Sequence, residues 1–126
     1  MRNKFLYFRV VASTIVIFDV IVSFASKILE FDYTTFAWVS LFLYAAAGFF
    51  GCKFFNFPTG VIAGLVAGFV DSTLGWAISS FIKPYISFEQ IPYTFPIIVE
   101  VIITVSLTGA LFGFIGSFIG YIIKRK

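Results

Sequence analysis

Asp19 and Asp71 are the residues through which this 126-residue chain could do chemistry. Both stand inside long apolar runs, Phe5–Ala25 and Thr59–Ile82. An acid within a membrane span costs about 2.5–3.5 kcal/mol on insertion scales, so it requires a partner or a function. Counted from the more basic ends of their runs at ~1.5 Å per residue, the two acids reach similar heights, about 20 Å in. If their helices meet, the pair could share a proton or bind a cation. No base lies at that height, since Arg9 is roughly 15 Å away along its own helix. The chemical expectation is therefore a proton or cation site at Asp71 and Asp19. The structural alternative is a carboxyl hydrogen-bonded to a neighbouring helix, which would fix register. Asp71 is the stronger candidate: it shares a face with glycines, next to Ser72 and Thr73 and a little before Trp76. Asp19 shares a stripe with Ala12, Ser23 and Ser26. Glu100, a third acid, is expected in the first turn of its helix, opposite the glycines, where it complements the helix dipole.

The remaining chemistry is sparse. There is no histidine, which removes the commonest general base and metal ligand. Cys52 stands alone, so neither a disulfide framework nor a cysteine metal site can form, and it reads as a small packing residue. The glycine-rich third segment lacks the lysine and the preceding strand of a phosphate loop. Neither catalytic residues, nor a metal site, nor a cofactor is expected, and the chain does not read as an enzyme. Intramembrane aspartyl chemistry would need both acids to face a hydrated cleft.

The elements that must position these acids follow from composition. Apolar residues make up 60% of the chain and charged residues 12%, with a mean hydropathy of +1.04. Soluble domains average about 45–50% and about 25% respectively, and disorder requires low hydrophobicity, so both classes are excluded. Four segments are long and apolar enough to cross a ~30 Å hydrocarbon core: Phe5–Ala25, Phe36–Cys52, Thr59–Ile82 and Ile97–Ile123. A β-barrel would show period-two alternation, and stretches such as Val10–Ile17 and Gly109–Tyr121 do not. The expected fold is an all-α integral membrane protein, a four-transmembrane-helix bundle forming a single domain over residues 1–126. The first segment also has features of a cleaved signal peptide, with Arg2 and Lys4 ahead of it and Ser23-Phe24-Ala25 at its end, but Asp19 interrupts the run.

The connections carry breaker chemistry. Thr34 or Thr35 could cap the second helix, and Asn56 and Pro58 open the third. Pro84, Pro92 and Pro96 make the longest loop non-helical, and Tyr85, Phe88, Tyr93 and Phe95 suit it to the membrane interface. The charges divide by side. Arg2, Lys4, Lys53, Lys124, Arg125 and Lys126, with Arg9 near, fall on one side without any acid, whereas Lys27 and Lys83 face Glu30, Asp32 and Glu89 on the other. Basic short loops stay inside, so both termini are expected to be cytoplasmic, in a plasma (inner) membrane. The net charge of +3 thus marks sidedness, and no nucleic-acid partner is expected.

In lipid, small residues let helices approach closely. Gly60, Gly64, Gly68 and Gly75 fall with Asp71 in one arc of roughly 80° on the third segment. Gly109, Gly113, Gly116 and Gly120 form a second narrow arc on the fourth, and Ser40, Tyr44, Ala47, Gly48 and Gly51 a face on the second. These glycine ladders are the expected helix-packing residues, in contact within one chain or between copies. A faint repeat, Val39-Ser40-Leu41 and Val105-Ser106-Leu107, together with the similar places of Asp19 and Asp71, raises a duplicated hairpin.

Two functions follow. One is a small polytopic membrane protein acting through close helix packing, as an assembly subunit or homo-oligomer. Its partners would be the bilayer, itself or another membrane protein. The other is a channel or proton/cation-coupled small transporter using Asp71 and Asp19, which would require a hydrated cavity reaching Asp71. A pore-forming lysis protein would suit the glycine ladders and the basic tail, but not the intramembrane acids.

Overall fold

The computed structural model describes residues 3–84 and 94–126, and over them the chain is helical without strands. Helix α1 spans Lys4–Leu29, α2 Ala37–Phe54, α3 Phe57–Val70, α4 Trp76–Ile82 and α5 Phe95–Arg125. A π-helical turn, Asp71–Gly75, joins α3 to α4, so that Phe57–Ile82 forms one long rod. Four rods are thus long and apolar enough to cross a membrane.

Local chemistry explains the ends. Asn3 caps α1 by accepting from the Phe5 N–H at 2.9 Å. Asn56 caps α3 by accepting from the Thr59 N–H at 3.0 Å, and Pro58 sits in the first turn, where no partner for its nitrogen is needed. The start of α2 differs from expectation. Asp32, rather than Thr34 or Thr35, caps a 3-10 turn over Tyr33–Phe36, accepting from the Thr34 N–H at 2.9 Å. An aspartate offers its carboxylate to two donors at once, here that N–H and the Thr34 hydroxyl at 2.7 Å. Helix α5 begins at Phe95, two residues earlier than the hydropathy suggests, because Pro96 fits a first helical turn. Glu100 therefore lies past the first turn, exposed. Arg2 and the loop residues Tyr85, Phe88, Glu89, Pro92 and Tyr93 lie outside the described residues.

The rods run alternately up and down, and α2, the α3 rod and α5 form a tight trio. Gly64 faces Gly109 and Gly113, Gly68 faces Val105 and Gly109, and Gly60 faces Gly48 and Ser117. Gly116 and Gly120 meet Ala45 and Phe49 of α2. The approach is backbone to backbone: a methyl on Gly113 would lie 2.8 Å from the Gly64 Cα, and one on Gly51 2.8 Å from the Gly60 Cα. Nine of the chain's ten glycines meet backbone of another helix in this way, and the tenth, Gly75, meets carboxyl side chains.

Helix α1 sits outside this trio, against α3, the π turn and α4. Its buried stripe is Val11, Ile15, Asp19, Val22, Ser23 and Ser26, a helical spacing of three and four. Tyr7 ties its first turns to α2 by donating to the Ala47 carbonyl at 2.6 Å. Helices α1 and α5 are not neighbours among the described residues. The α1–α2 hairpin thus packs unlike the α3–α5 hairpin, which the faint repeat would have made equivalent.

Burial is inverted relative to a soluble protein. Ala63 and Ala67 are fully buried, whereas Phe81, Trp38 and Phe42 are 89%, 78% and 72% exposed. The exterior is a sleeve of large apolar side chains around a core of small ones.

Candidate functional site

Asp19 and Asp71 meet. The contact forms where α1 crosses the π turn, and Gly75 makes the room. A methyl on Gly75 would collide with Asp19 Oδ2 and lie 3.0 Å from Asp71 Oδ1. The two carboxyl groups lie together beside Gly75. Asp19 is 1% exposed, and its Oδ2 is buried with no N–H or hydroxyl donor reaching it.

The π turn has a local cause. Widening a helix by one residue frees carbonyls from their usual partners. Here the sequence Asp71-Ser72-Thr73 supplies hydroxyls: Ser72 Oγ donates to the Phe69 carbonyl at 3.0 Å, and Thr73 Oγ1 to the same carbonyl at 2.7 Å. Such back-bonding bends helices. The wider turn also retards the helical phase, which changes the expected face. Gly60, Gly64 and Gly68 point at α5, but Gly75 points at Asp19 on α1. The single arc read from a uniform 100° per residue therefore splits in two at Asp71.

Two phenols complete the site. The Tyr44 hydroxyl donates to Asp71 Oδ2. The Tyr33 hydroxyl donates to Asp19 Oδ1 at 3.4 Å, a long bond, and lies beside Ser23. Tyr33 is held there because the link between α1 and α2 is short. Ser26 Oγ donates to the Phe31 carbonyl at 2.7 Å, folding the link back over the end of α1, and the Asp32 cap then turns Tyr33 inward. Tyr33 carried no signal that separates it from other loop aromatics. Tyr44 did carry one: it is the only large polar side chain on the small-residue stripe Ser40–Ala47–Gly51, and a phenol buried there needs an acceptor.

A cavity of about 300 Å³ has Asp71 in its wall, together with residues of α1, the 3-10 turn, α2 and α5. Asp71 and Tyr44 line it, as do the hydroxyl-bearing Tyr33, Thr34, Ser40 and Thr108. On the side of the chain termini, Val11 and Ile15 of α1 pack with Ala63, Ala67 and Val70 of α3. Asp71 thus forms part of the cavity wall, whereas Asp19 is buried and does not.

Of the remaining residues singled out above, Cys52 is buried among the helices, near Gly60 and Gly120. Among the described residues, three potential metal ligands of the His, Cys, Asp or Glu type do not gather anywhere. The fold and site thus define a helical bundle with a carboxyl pair buried at a wide turn. The chain matches no protein-family model, no curated protein and no solved structure.

Proposed function

We propose that the protein is an integral membrane protein that couples transport to a proton or small cation held by Asp19 and Asp71. The observation that carries this is the buried Asp19 Oδ2, which faces a second acid and has no donor. A buried polar atom without a partner is costly, and a proton or a monovalent cation between the two carboxyls supplies what is missing. The phenols of Tyr44 and Tyr33 hold the other carboxyl oxygens, so the pair is kept in place while its occupant changes. Asp71 lines the cavity, and Val11 and Ile15 pack in the apolar core with Ala63, Ala67 and Val70.

The membrane setting draws on four apolar rods and the exterior sleeve of large apolar side chains. The basic residues at the end with the termini favour cytoplasmic termini in a plasma (inner) membrane. The other reading, an assembly subunit or homo-oligomer acting through close helix packing, draws less support from the glycines, because each is already against another helix of the same chain.

The test is proton flux into proteoliposomes carrying a trapped pH dye, under an imposed potential. Wild-type protein should conduct, and Asp71→Asn or Asp19→Asn should lower the rate at least tenfold, with Glu100→Gln as an exposed control. Absence from the wild type of both proton flux and sodium or potassium flux, the latter read with a trapped cation dye, or flux unchanged in both variants, would overturn the proposal.

A further inference from the structure

We propose that the cavity is a binding site for a small hydrophobic ammonium ion, with Asp71 as its counter-ion and an aromatic box as its wall. This rests on the reading of the Asp19–Asp71 pair as the working centre. Four aromatic side chains line the cavity with Asp71: Phe18 from α1, Tyr33 and Phe36 from the 3-10 turn, and Tyr44 from α2. Ring faces attract cations, most strongly where water is excluded, and aromatic cages are how proteins take quaternary ammonium groups. Between the rings the lining is aliphatic, from Val22, Leu41 and Val105.

The chemistry excludes other small ligands. A carboxylate in the wall repels an anion, and both phenols already donate to carboxyls. An inorganic cation needs several oxygen ligands, whereas most of this wall is hydrocarbon. A neutral apolar molecule would leave Asp71 facing hydrocarbon, which is the costlier arrangement. A cation with an apolar body matches both the acid and the hydrocarbon, and about 300 Å³ is at the small end of ligand pockets.

The experiment is isothermal titration of the purified full chain in lipid nanodiscs. The probes are benzyltrimethylammonium and its uncharged carbon isostere, neopentylbenzene. The wild type should bind the cation at least tenfold more tightly than the isostere. Asp71→Asn should abolish that preference while still binding the isostere, which shows that the cavity remains formed. Phe36→Leu should weaken the cation more than the isostere, because it removes a ring and keeps the apolar wall. Equal affinity for the two probes, or a cation preference that survives Asp71→Asn, would overturn the proposal. Failure of the wild type to bind, alongside proton flux that depends on Asp71, would overturn the ammonium site and leave the proton reading standing. Binding without flux would do the reverse.

Discussion

The α2–α3–α5 trio and the seam under α1 are built from the same kinds of small residues, yet they differ in what they hold. In the trio, glycine meets backbone: Gly48 faces Gly113, and Gly64 faces Gly109 and Gly113. At the seam, Gly75 meets the carboxyl groups of Asp19 and Asp71. The first contact brings two helix axes as close as possible, and dispersion between backbones stabilises it. The second leaves room for polar side chains and joins a cavity. A glycine in the first position is a structural requirement, and in the second it sets the geometry of an acid pair.

The strongest way to break this comparison is Gly64→Leu. Its first side-chain carbon would meet the Gly109 carbonyl and the Gly113 Cα, and neither backbone can move aside alone. We expect a loss of at least about 3 kcal/mol, or no folded protein, read by thermal unfolding in detergent with circular dichroism. A matched pair of alanine substitutions sharpens the contrast. Gly64→Ala should cost about 1–3 kcal/mol because it strikes backbone. Gly75→Ala should cost less than about 1 kcal/mol in the same melt, because the obstructing atom ends a side chain that can rotate. It should nevertheless lower proton flux, since the carboxyl groups must separate. Equal costs for the two alanines would remove the distinction between trio and seam.

The smallest effects fall on the phenols. Tyr44→Phe leaves Asp71 Oδ2 without its donor and should destabilise by about 1 kcal/mol, the scale of interhelical hydrogen bonds in membrane bundles. Tyr33→Phe removes a bond of 3.4 Å and should cost no more than about 0.5 kcal/mol. Both are measured as midpoint shifts in denaturant, and the reverse order would show that Asp19, not Asp71, is the better-held acid.

Much of the architecture was legible in the sequence because the signals are local. Hydropathy located four apolar rods, and proline and asparagine marked where α3 begins. The helical period gathered Gly109, Gly113, Gly116 and Gly120 on one side of α5, where a regular helix keeps that period. The same arithmetic failed at Gly75, because a π turn breaks the period it assumes. The cap of α2 was misplaced to threonine for a related reason: a 3-10 turn intervenes before the helix.

By itself, the sequence determined that the chain consists of long apolar helices, that two acids stand within them at like heights, and that glycines stripe their faces. These follow from side-chain type and helical spacing alone. The tertiary structure decided which faces meet. It placed every glycine against the chain's own helices, turned Gly75 away from α5, and closed Asp19 onto Asp71 with Tyr33 and Tyr44 as donors. A helix surface offers several small-residue stripes of similar quality, and neighbouring helices compete for them. That competition is settled by the packing of all four rods together, which no single stretch of sequence encodes.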